Sequence, residues 1–178
     1  MDLGPFYGAF GPACFALLGL WVVAIQVRID EWLDDPERKR RCYGIALHFA
    51  LPGLMSVLAL VDEQTHTFWR VSFVIVGLSG ALVLAAVWGY PVRPRERSGR
   101  RYLPRADRLG IATYVAAIVL YLAIAVLAFM GGQAALRTEA VLQTLLVFLG
   151  FNAAWLLLLD DRGARRRRPY QEPESYTR

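Results

Sequence analysis

The chain has 178 residues, 56% of them hydrophobic, with a mean hydropathy of +0.37 and a formal net charge of +5. The apolar residues gather into five stretches of about 20, each long enough for the hydrocarbon core of a bilayer, which excludes an ordinary soluble domain. A basic balance can signal nucleic acid, but here the arginines flank the apolar stretches, so a lipid surface is expected and no nucleic acid.

In lipid every backbone polar group must be satisfied within its own segment, so stretches of this length and composition are helices. The predicted fold is an all-α membrane protein, a five-helix transmembrane bundle over residues 1–160. Its helices fall at about 5–27, 43–61, 71–90, 109–130 and 139–159, with a basic, disordered tail over 161–178.

The first helix opens with GPFYGAFGPACF. Gly8 and Gly11 allow close backbone approach, and Pro12 removes the donor for the Gly8 carbonyl, making it a candidate kink. This suits either a tight helix crossing of the small-xxx-small kind or a substrate-lining mouth. The helix begins with Asp2 rather than a basic region, unlike a cleaved signal peptide. Cys14 and Cys42 fall at different depths, so both are expected to be free. The loop that follows places Ile29, Trp32 and Leu33 on one face of a short interfacial helix, and Asp35-Pro36 reads as a turn or a new helix start.

The second helix, within Cys42–Asp62, carries His48, a titratable side chain well inside an apolar span, and Pro52, a second candidate kink. Pro52 removes the bond to the His48 carbonyl. A short loop containing His66 leads to the third helix, where Gly77, Ser79, Gly80 and Ala81 form a small-residue packing face. Trp69 and Trp88 read as interface anchors at its two ends. The third loop, PVRPRERSGRRYLPR, reads as extended and lying against anionic headgroups. The fourth helix carries Thr113, Tyr114 and Tyr121. The fifth reads as starting near Thr138-Glu139, an N-cap with an acid in the first turn, and carries Gln143, Gly150 and Asn152. On this reading carboxylates occur only at helix ends.

Of the 20 basic residues, 18 lie in the first loop, the third loop and the tail; only Arg70 and Arg137 lie at the opposite ends of the helices. The positive-inside rule therefore predicts the N-terminus outside and the C-terminus cytoplasmic. Arg100, Arg101, Arg165, Arg166, Arg167 and Arg168 are the expected headgroup contacts. A single lysine against 19 arginines reads as GC-rich coding and suggests a bacterial inner membrane.

The two helical hairpins also echo one another. Gly44-Ile45-Ala46 matches Gly110-Ile111-Ala112, aligning His48 with Tyr114, and Gly77, Ser79 and Ala81 match Gly150, Asn152 and Ala154. This is either a duplicated hairpin or chance among common membrane residues. By helix rise, His48 and Tyr114 lie about 7–8 Å inside the basic face and Asn152 about 10 Å. His48, Tyr114 and Asn152, with Ser79, form a candidate polar layer. It reads either as interhelical hydrogen bonding or as the lining of a proton, ion or solute path.

Gly77-Leu78-Ser79-Gly80 resembles the nucleophile motif of rhomboid proteases over four residues, which would imply an intramembrane protease with His48 as base. No histidine follows Ser79, the six-helix core is missing and the order of elements differs, so no enzyme activity, catalytic residue, metal or cofactor is expected. The expected function is an interaction or assembly subunit, homo-oligomeric or with a membrane-protein partner. The alternative is a small transporter or channel using the polar layer.

Overall fold

The computed structural model describes residues 3–27, 29, 36–61, 67–88, 95–97, 100–102 and 105–166. They form helices α1 (Gly4–Gln26), α2 (Pro36–Val61), α3 (Thr67–Trp88), α4 (Arg105–Met130) and α5 (Gln133–Arg166). A two-stranded antiparallel ribbon, β1 (Arg95–Arg97) and β2 (Arg100–Tyr102), pairs Arg95 with Tyr102 and Arg97 with Arg100 inside the basic third loop. All five helices are long and apolar enough to cross a membrane. Their outward faces carry large apolar side chains such as Leu20, Ile75, Leu82, Val126 and Phe148, an exposure that suits hydrocarbon and not water.

The helices extend beyond the apolar stretches. Pro36 opens α2, at a position where its missing N–H belongs to the unpaired first turn. α5 differs most from expectation. It begins at Gln133, not near Thr138, and it continues to Arg166, so 161–166 is helix rather than tail. The reason for the early start is Gly131-Gly132, with φ of 72° and 98°. Glycine adopts this left-handed backbone without steric cost, so the chain reverses in two residues. Thr138 is thus inside the helix, and its hydroxyl donates to the Ala134 carbonyl at 3.1 Å. Residues 28, 30–35, 62–66 and 167–178, including most of the expected interfacial helix, His66 and the end of the tail, lie outside the described residues.

Helices α2, α3, α4 and α5 close a ring, each packed on its neighbours, and α1 packs on the outside of α2. α2 is the most enclosed helix: 44% of its apolar window is buried, against 17% for α1 and for α5. Across the ring α2 also meets α4, where Tyr121 donates to the Leu47 carbonyl at 3.2 Å. The interior is therefore filled by side chains. Its main cluster includes Tyr7, Met55, Phe73, Leu84, Tyr121, Ile124 and Leu146. A second cluster of Trp21, Cys42, Ile45, Phe49, Ala154 and Leu157 lies nearer the basic end. There the Trp21 indole donates to the Cys42 carbonyl at 3.0 Å, pinning α1 to α2. Neither cysteine is in a disulfide, and both are buried. Trp69 is buried too, edge-on to Phe73 at 5.7 Å between centroids, and is not an outward anchor.

Candidate functional site

His48 sits on the inner face of α2 and is 1% exposed. Its Nδ1 lies 2.7 Å from the Gly44 carbonyl. A carbonyl only accepts, so Nδ1 carries the hydrogen. Nε2 is buried and has no hydrogen-bond partner. The Tyr114 ring stands edge-on to the imidazole, 6.5 Å between centroids. Two glycines make this crowding sterically feasible: the Tyr114 hydroxyl fills the space over Gly44, and the His48 Cβ fills the space over Gly150. One turn beyond His48, the buried Pro52 removes a backbone donor. The Ser56 hydroxyl then turns back to the Pro52 carbonyl at 2.9 Å. Pro52 and Pro12 both lie inside continuous helices.

The expected four-residue layer assembles only in part. The structure brings His48 and Tyr114 together but not Asn152 or Ser79. Asn152 is exposed and donates to the Phe148 carbonyl of its own helix at 2.8 Å. Two residues rotate a helix by about 200°, so with Gly150 facing His48, Asn152 must face away. Ser79 is exposed as well and donates to the Val76 carbonyl at 3.0 Å, while the flanking Gly77 and Gly80 face inward. Of the expected headgroup contacts, Arg100 and Arg101 fall on β2 and Arg165 and Arg166 on the last turn of α5. Arg167 and Arg168 lie outside the described residues.

A second polar level lies deeper along α5, toward the Gly131-Gly132 turn. Glu139 and Gln143 are each 0% exposed, one helix turn apart on the inner face. Neither Glu139 oxygen has a hydrogen-bond partner, and neither does the amide nitrogen or oxygen of Gln143. Tyr7 of α1 closes this level from above. It is 2% exposed, edge-on to Phe73, and its hydroxyl donates to the Leu136 carbonyl at 3.4 Å, one turn nearer the start of α5. Arg70 of α3 is nearby in the fold but committed elsewhere. Its guanidinium donates to Ala128 at 3.1 Å and to Phe129, the last carbonyls of α4.

The reading that carboxylates occur only at helix ends is therefore overturned by Glu139. The misreading follows from the start of α5: six residues of added helix carry Glu139 from a first turn into the bundle. The signal available in the sequence was the Gly131-Gly132 pair, which permits so early a restart, and the i, i+4 spacing of an acid and an amide before an apolar run.

The two levels are separate. From Gly150, which faces His48, back to Glu139 is about 16 Å of helix, and back to Gln143 about 10 Å, at the α-helical rise. The fully buried Leu146 occupies the space between. Comparison with known protein families, with curated proteins and with solved structures finds no match. Chemically, the two levels offer an imidazole nitrogen, a carboxyl and an amide, all buried and unpartnered. Such groups bind protons or small ions.

Proposed function

We propose that the chain is a small multi-pass transporter of the bacterial inner membrane that moves a proton, ion or small solute through its bundle. The observation that carries this reading is Glu139, a carboxyl wholly buried inside the bundle with both oxygens unpartnered. Burying such a group costs several kcal/mol in an apolar medium, and ionisable residues in membrane spans mark functional sites by default. A purely structural role would be served as well by leucine. His48 Nε2 supplies a second unpartnered atom nearer the basic end, behind Leu146, so the two levels form separate stations with an apolar side chain between them. The arginine asymmetry supports an N-terminus outside and a C-terminus in the cytoplasm, with Arg100, Arg101 and Arg165–Arg168 on anionic headgroups.

The test is flux in liposomes under imposed proton, ion and solute gradients, comparing wild type with Glu139→Gln and His48→Ala. Wild-type flux that falls severalfold in both variants is expected. No wild-type flux under any gradient would sink the reading.

One observation favours a second reading, assembly with a membrane partner. α1 turns Gly8, Ala9, Pro12, Ala16 and Gly19 outward, and neither Gly8 nor Gly19 has anything within 4 Å of where a Cβ would lie. Small outward residues let another helix approach closely. If this face assembles, Ala16→Leu lowers the oligomeric state measured in detergent or lipid discs; an unchanged mass distribution counts against it.

A further inference from the structure

We propose that Glu139 and Gln143 form a proton-binding pair, in which a neutral carboxylic acid and a primary amide hydrogen-bond to each other inside the bundle. The inference rests on the transport reading for its purpose and names the species that the deeper level takes up.

The geometry is that of complementary groups. Residues four apart on a helix stand one above the other, within reach of side-chain bonding. As a carboxylate, Glu139 can only accept. It could take one hydrogen from Gln143, leaving its charge otherwise bare and the Gln143 oxygen without a donor. As an acid, Glu139 gains a donor. Its O–H can point to the Gln143 carbonyl oxygen while its own carbonyl accepts from the Gln143 NH2. A rotation about the two side-chain ends closes both bonds, and the four atoms now orphaned are satisfied together. The step is a simple addition: a proton from the adjoining aqueous phase forms an O–H bond on one Glu139 oxygen and cancels its charge.

The surroundings select for a proton over a metal cation. At this level α2 offers Met55 and Ser56, with the Ser56 hydroxyl already bonded to its own helix, and α4 offers Ala128. A dehydrated cation needs around six oxygen ligands, and these neighbours do not supply them. Among the described residues away from the basic end, the charged or titratable groups on the packed elements are His48 on α2 and Tyr114 on α4, which belong to the other level, and Tyr7 and Cys14 on α1, Arg70 on α3, Tyr121 on α4 and Arg137 on α5. The Tyr7 hydroxyl points to Leu136, Tyr121 to Leu47, Arg70 to the end of α4, and Arg137 is exposed on another face. Cys14 packs against Gly53. Among the described residues no cation neutralises Glu139 from within the bundle, so a proton is the partner left to it.

The test is infrared spectroscopy of the full chain in lipid discs, using wild type, Glu139→Gln and Gln143→Leu. Expected is a protonated-carboxyl band at neutral pH that is lost in Glu139→Gln and shifts to higher frequency in Gln143→Leu, where the amide partner is gone. Labelling the wild type with 13C-glutamate must move the same band, which keeps the test decisive if a variant fails to fold. No such band in wild type overturns the proposal. So does a band indifferent to Gln143→Leu, or one displaced by sodium at fixed pH. The flux assay is independent: the band without flux removes transport and leaves the proton pair, and flux without the band does the reverse.

Discussion

The chemistry of this protein turns on how few polar atoms its bundle contains and how poorly they are satisfied. A buried polar group left without a partner costs roughly 1–3 kcal/mol. His48 meets half of its requirement by bonding along its own helix, and Ser56, Asn152, Thr138 and Thr144 meet theirs in the same way. Glu139 and Gln143 do not. If the two act as a pair, Glu139→Leu strands the amide and destabilises the fold by about 1–3 kcal/mol. Glu139→Leu/Gln143→Leu recovers most of that, because both polar groups are then gone. Unfolding in mixed micelles measures the cycle, and single-variant costs that simply add would show that the side chains are uncoupled. His48 was legible in the sequence because it stands alone in an apolar run, and Tyr114 because depth could be counted from the span boundary. Asn152 was misassigned because depth ignores azimuth: it shares a level with His48 but is rotated off the face that Gly150 occupies.

At the scale of helices, glycine placement decides which ones can touch. Gly150 sits where α5 crosses α2, with His48 in the space a Cβ would take. Gly150→Ala must push the helices apart or strain His48, at a cost of about 1–3 kcal/mol for overpacking. Gly19→Ala, with nothing within 4 Å, is the matched control and gains helix propensity instead. Thermal unfolding of both variants checks this, and equal midpoints would mean the crossing is loose. The helix-end contact at Arg70 makes a second expectation. Its guanidinium holds the last carbonyls of α4 just before the chain reverses at Gly131, whose Cβ position is 2.7 Å from the Arg70 guanidinium carbon. Arg70→Ala leaves those carbonyls uncapped and loses about 1–3 kcal/mol. Faster amide exchange confined to the end of α4 and the start of α5 is the signature, and uniform exchange would refute a local cap. The proposed hairpin duplication meets a mixed result here. Gly77 and Gly150 are equivalent in the repeat, and each packs against the first helix of the other hairpin. Yet Gly77 meets Tyr121 and Ala125, whereas Gly150 meets His48 and Phe49. With His48 aligned to Tyr114, those contacts differ by about two helix turns, so any internal symmetry is not kept in the packing.

For the whole molecule, the number of helices was written in the hydropathy, because lipid leaves a long apolar segment no other backbone solution. Their arrangement was not. Which helix is most enclosed depends on which faces meet, and α2 is the most enclosed because α1, α3 and α5 all pack on it. Orientation is a further property that packing does not contain: the bundle would be equally well packed either way up, and the asymmetry resides in the arginines. Eighteen basic residues at one end oppose translocation of that end. The third loop, with its β1–β2 ribbon, should therefore be cytoplasmic and the Gly131-Gly132 turn outside. Cysteines introduced at Ser98, in that loop, and at Ala134, exposed beside the turn, test both sides. Cys14 and Cys42 are buried, so the native thiols give little background. A membrane-impermeant maleimide applied to intact cells should label Ala134→Cys at once and Ser98→Cys only after lysis. The opposite pattern would place the arginines outside. It would also reverse which aqueous phase the Tyr7 side of the bundle faces, and hence the side from which Glu139 takes its proton.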